Sequence, residues 1–192
     1  MRQREHGVED NPQNSVNLLM SILVRYPEIM TVKFDPQSRS LRLTLAVRRP
    51  RARDRERSEA RPPARELFSV FEKRLRDSLA SYSGLLGTKP AEISVDIIES
   101  GSFSLINVRR DVGTLTQEEI SLMIDIAGEV FGEDLVREQE GSLVEEERIA
   151  QDEMIENMLD DLRESLQVRK LIGFREEGRV VVFNKSVQGR RS

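Results

Sequence analysis

Residues 30–48 read MTVKFDPQSRSLRLTLAVR, and this stretch decides the fold class. Met30, Val32 and Phe34 alternate with Thr31 and Lys33. Leu41, Leu43, Leu45 and Val47 alternate with Arg42, Thr44, Ala46 and Arg48. A period of two marks a strand with one buried face and one wet face. Between the runs, Asp35-Pro36-Gln37-Ser38 has turn chemistry, so the pair predicts an antiparallel hairpin. Just upstream, Val16, Leu19, Met20 and Leu23 recur at helical spacing, with Leu18 and Ile22 beside them. Asn14 or Ser15 can cap that helix, and Pro27 closes it.

The same order returns downstream. Leu67, Phe68, Phe71, Leu75, Leu79 and Tyr82 form an apolar stripe on a helix from Glu66 to about Ser83, ended by Gly84 and Gly87. Ile93, Val95 and Ile97 then read as a strand, Glu99-Ser100-Gly101-Ser102 as a turn, and Phe103 to Arg109 as the return. Two helix–hairpin units, at 15–48 and 66–109, predict an α+β fold: a four-stranded antiparallel sheet with both helices on one face. Thr116-Gln117-Glu118-Glu119 is a capping box, with Leu115 and Ile120 placed as a hydrophobic staple. It opens a third helix whose apolar face is Ile120, Met123, Ile124, Ala127, Val130 and Phe131, stopped by Gly132. The expected core is therefore αββ-αββ-α over 15–132, behind a disordered leader at 1–14.

Two segments depart from this pattern. Arg48 to Arg65 holds eight arginines, three acids and three prolines, and no apolar side chain larger than Ala. Nothing in it offsets the entropy of ordering the chain, so a disordered loop is expected. Residues 133–164 carry thirteen acids against three arginines. Within them Met154, Ile155, Met158, Leu159 and Leu162, and then Leu166, keep helical spacing, which predicts a long acidic amphipathic helix over about 143–168. Leu171 to Phe174 and Val180 to Phe183, around Glu176-Glu177-Gly178, predict a C-terminal β-hairpin, with 185–192 as a tail. A lone hairpin is marginal in water, so this one must dock.

The composition excludes several chemistries. The chain has 192 residues, a net charge of −4, no Cys, no Trp and a single histidine, His6. Thiolate sites, disulfides, cysteine nucleophiles and paired-histidine metal centres are excluded. No general acid–base or nucleophilic constellation and no dinucleotide or phosphate-loop fingerprint is legible, so neither an enzyme nor a cofactor is expected. The longest apolar cluster, Val16 to Tyr26, is interrupted by Asn17, Ser21 and Arg25 and falls short of the ~20 residues of a spanning helix. A cytoplasmic protein with no membrane partner is expected.

Gly84-Leu85-Leu86-Gly87, followed by Thr88 and Lys89, resembles the GXXG loop of KH domains. The helix–strand–strand–helix order before it resembles the start of the bacterial KH arrangement. That resemblance implies contact with a nucleic-acid backbone. Both middle residues are apolar and no helix has room to follow, so the run reads as a helix C-cap. Asp152, Glu156 and Asp160 share one helical face, where carboxylates could hold a hard cation. Without histidine or a second carboxylate helix, that face reads as solvated and no metal is expected.

Two functional readings follow. The apolar stripe Met158, Leu159, Leu162 and Leu166 needs a partner, which predicts a non-enzymatic binding or adaptor protein working through its C-terminal helix, or self-association. The alternative is an RNA- or ribosome-associated factor using Lys89, Arg109, Arg110 and the arginine loop. Charge segregation supports either: the loop 48–65 is +5 and the tract 133–164 is −10.

Overall fold

The computed structural model describes residues 12–49, 62–88, 93–138, 144–165, 169–176 and 178–185. Four α-helices and six strands are formed among them. The first unit is α1 (Pro12–Arg25), β1 (Ile29–Asp35) and β2 (Ser40–Arg48). The second is α2 (Ala64–Leu86), β3 (Ile93–Ser100) and β4 (Phe103–Asp111). Then come α3 (Gln117–Phe131), α4 (Glu145–Glu164), β5 (Lys170–Glu176) and β6 (Arg179–Lys185). The helix–strand–strand unit thus occurs three times, with α3 inserted before the last.

The sheet has six strands, not four. Its order is β3-β4-β2-β1-β5-β6, and every neighbouring pair is antiparallel. The C-terminal hairpin is a continuation of the sheet: β5 pairs with the free edge of β1, from Thr31 opposite Phe174 to Phe34 opposite Leu171. The physical reason is the edge itself. In a four-stranded sheet β1 would expose unpaired backbone groups, and β5 satisfies them.

One face of the sheet is apolar. Val32, Phe34, Leu41, Leu43, Leu45, Ile106, Val108 and Leu171 are buried there, in a single cluster with side chains from all four helices. Helix α4 enters this cluster through Ile155, Leu159 and Leu162. Its carboxylates fix the docking: Asp152 pairs with Arg25 at 2.8 Å, and Glu156 accepts from the backbone N–H of Gln117 at 2.7 Å. Asp160 pairs with Arg163, so the Asp152–Glu156–Asp160 row is committed to neighbouring donors. Among the described residues no metal-binding cluster exists, and no helix is long and apolar enough to cross a membrane.

The local signals behave as their chemistry dictates. Gly87 closes α2 in a left-handed conformation (φ 67°), with its N–H on Gly84 O and the Thr88 N–H on Ser83 O. This is a Schellman-type end, so Gly84-Leu85-Leu86-Gly87 is a helix terminus. Thr116 caps α3 by accepting from the Glu119 N–H, and both staple residues, Leu115 and Ile120, are buried. Residues 50–61 of the arginine-rich segment, the leader through residue 11 and the tail beyond 185 lie outside the described residues.

Gly173 sits where α1 crosses β5. A Cβ there would stand 3.0 Å from Leu23 Cδ1 and 3.4 Å from Leu19 Cβ. Gly173→Val should therefore force α1 off the sheet and cost about 1–3 kcal/mol as an overpacked core. Urea titration with unchanged midpoint would show that the crossing is slack.

Candidate nucleic-acid interface

The face of the sheet turned away from the core carries a cross-strand row of cations. Lys33 on β1 lies directly opposite Arg42 on β2, and Arg42 directly opposite Arg109 on β4. Directly opposed Cβ atoms are about 4.5–5.5 Å apart, and like charges so placed destabilise a sheet. Lys33 and Arg42 have no hydrogen-bonding or ion-pair partner among the described residues; Arg109 does have an interaction partner. The row extends to Ser94 on β3 at one end, and through Ile172 on β5 to Phe183 on β6 at the other.

A concavity of about 230 Å³ lies over the row, lined by Lys33, Asp35, Ser40, Arg42, Arg109, Lys170 and Ile172. Its one carboxylate is engaged: Asp35 meets Lys170 Nζ at 3.3 Å and accepts from the Gln37 N–H at 3.1 Å. Partial burial acts to raise the Asp35 pKa, but the Gln37 N–H and the Lys170 ammonium outweigh it and hold the carboxyl below its usual value. The site therefore presents ammonium and guanidinium donors to solvent with its single acid already paired. Such donors attract an anion, and a guanidinium can grip phosphate with two parallel hydrogen bonds.

The residues named from the sequence are separated by this geometry. Arg109 joins the row, but Arg110, one residue on, points to the core face and is only 3% exposed. Its guanidinium is held by Glu119, with contacts of 2.7–3.0 Å, and by Asp111 and Thr114. Arg110 is thus an internal cation and not a surface donor. Burial pushes the Glu119 carboxyl up, more than Arg110 pulls it down. Lys89 lies outside the described residues, as does Leu166. Leu159 and Leu162 are buried inside the chain, and Met158 packs against the same core.

Lys33, Arg42 and Lys170 were not singled out from the sequence. Lys33 and Arg42 carried a signal, since each stands on the polar side of an alternating run; Lys170 did not, because its side of β5 continues as Ile172 and Phe174. Only strand order and register convert that alternation into a row. The acids of α4 lie in the helical layer on the opposite face. Comparison of the chain with protein-family models, with curated proteins and with solved structures gave no match.

Proposed function

We propose that this chain is a non-enzymatic binding protein for single-stranded RNA, which it holds against the open face of its sheet. The observation that carries this reading is the Lys33–Arg42–Arg109 row. Lys33 and Arg42, directly opposed and without a partner among the described residues, raise the energy of the free protein, and a bound polyanion relieves that cost. RNA is the polymer that presents unpaired bases and accessible phosphates in loops and at ends. The net charge of −4 is no obstacle, because the acidic helix lies on the other side of the sheet from the row.

The protein-adaptor reading rested on an apolar stripe without a partner. With Leu159 and Leu162 spent on the core, what remains for a protein partner is the exposed set Val144, Ile149 and Met154 on or beside α4. These three are scattered among acids, and they support a second, weaker reading of a basic partner on that helix.

Titration of labelled oligouridine at several salt concentrations tests the first reading. The logarithm of affinity should fall linearly with the logarithm of salt, by about 0.7 per phosphate neutralised. Replacing both Lys33 and Arg42 by Ala should flatten that slope by about 1.4 and leave the melting temperature unchanged or raised. Absence of binding at about 50 mM salt, where phosphate contacts are strong, sinks the reading.

A further inference from the structure

The cation row ends on two aromatic rings. Ile172 lies opposite Lys33 on one side and opposite Phe183 on the other, so Phe183 faces the same open side of the sheet. Phe174, two residues beyond Ile172, shares that face. The two rings have centroids 5.6 Å apart and planes inclined by 14°, a stacked pair. Neither belongs to the core cluster, and Phe183 is 55% exposed.

The chain has nine aromatic residues, seven Phe and two Tyr. Tyr26, Phe34, Phe71 and Phe131 are buried and Phe68 packs on the core, whereas Phe183 is the most exposed ring, ahead of Phe103 at 38%. Phe183 still exposes more than half of its surface, and removing apolar surface from water is favourable, so a flat apolar ligand has a driving force to cover it. A nucleobase is such a ligand: each has a π-face, and aromatic side chains stack on it without regard to sequence. An isolated aromatic pair would not say what covers it. Here it continues the register of the cation row, with Ile172 alone between Phe183 and Lys33.

Resting on the RNA-binding reading above, we infer that Phe183, backed by Phe174, stacks on an unpaired base. The RNA then runs across the strands, with its phosphates on Arg109, Arg42 and Lys33. From β4 to β6 this path crosses four inter-strand spacings, about 19 Å. The ligand must be single-stranded, because a duplex keeps its base faces inside the stack. The other occupant the geometry allows is a second copy of the chain, pairing along the outer edge of β6.

The test uses the full chain and an oligouridine carrying one 2-aminopurine, whose fluorescence is quenched on stacking. Phe183→Leu keeps the apolar bulk and removes the π-face, while Phe183→Tyr keeps the π-face. Phe183→Leu should weaken binding by about 5- to 150-fold and abolish the quench, with the salt slope unchanged because no charge is lost. Phe183→Tyr should retain both affinity and quench. Duplex RNA should bind more weakly and should not distinguish wild type from Phe183→Leu. If wild type binds with a Lys33-dependent salt slope but Phe183→Leu equals it, stacking is refuted and the basic face survives. If wild type does not bind at all, both readings fall. If light scattering shows an oligomer that Phe183→Leu dissociates, the pair is a contact between copies and the inference is overturned.

Discussion

A chain ended at Gly132 is expected to lose its fold. The truncation removes Leu135, Ile155, Leu159, Leu162 and Leu171, all buried in the common core. At about 1.5–3 kcal/mol for each fully buried side chain, the loss is comparable to the whole ~5–15 kcal/mol stability of a typical domain. It also strips β5 from β1, leaving an unpaired edge at the middle of the present sheet. Leu159→Asp is the point version of the same experiment. Leu159 is 0% exposed, and a carboxylate there has no partner to offset its desolvation. Circular dichroism with urea titration should find both proteins largely unfolded where wild type is folded. A cooperative transition from the truncated chain would mean that 15–132 is an independent domain and the C-terminal region an appendage.

The second large effect concerns Arg110. Replacing it with Met leaves Glu119 buried without its counter-charge, and breaking a buried pair from one side costs about 3–5 kcal/mol. Adding Glu119→Leu to Arg110→Met should recover most of that loss, since the orphaned charge goes too. The single variant should also respond to pH in a defined direction. Without the guanidinium, the folded-state pKa of Glu119 rises further above the unfolded value of about 4.3, because burial already pushes it up. The folded form then binds the proton more tightly than the unfolded one. Its stability is greatest below about pH 4.3 and falls as pH rises through the folded pKa. Relative to wild type, the deficit of Arg110→Met should therefore shrink as the solution is acidified from pH 7. A deficit that is constant with pH would place its cause elsewhere, in lost packing of the arginine stem. Either way the variant reports on stability. A selective loss of RNA binding with normal melting would return Arg110 to the surface role read from sequence.

Much of the local structure was legible in the residues. The alternation in Leu41-Arg42-Leu43-Thr44-Leu45 admits only a strand with one buried side, because successive side chains point to opposite faces. Thr116 and Gly87 announce helix ends, because their side chain or its absence satisfies groups the helix leaves open. The expectation of a hairpin at 171–183 held for the same reason. Even the capping box was half fulfilled. Thr116 accepts from Glu119 N–H, while the Glu119 side chain turns to Arg110, since a buried guanidinium holds a carboxylate more strongly than a neutral N–H does.

Strand order was not legible, and the proposed binding face depended on it. Sheet pairing is made by backbone groups that every residue carries, so no side chain in Lys170–Glu176 states that its neighbour is β1. The apolar stripe on α4 could equally have docked on the core or on another chain, because periodicity gives the face and not its neighbour; its neighbours are α1 and the core of its own chain. Sequence alone fixed that Lys33, Arg42 and Arg109 each stand on a strand, and that Lys33 and Arg42 share its wet side. It was the tertiary structure that set β1, β2 and β4 side by side in register and turned Arg110 inward. Register couples residues far apart in the chain through contacts that composition and periodicity do not encode.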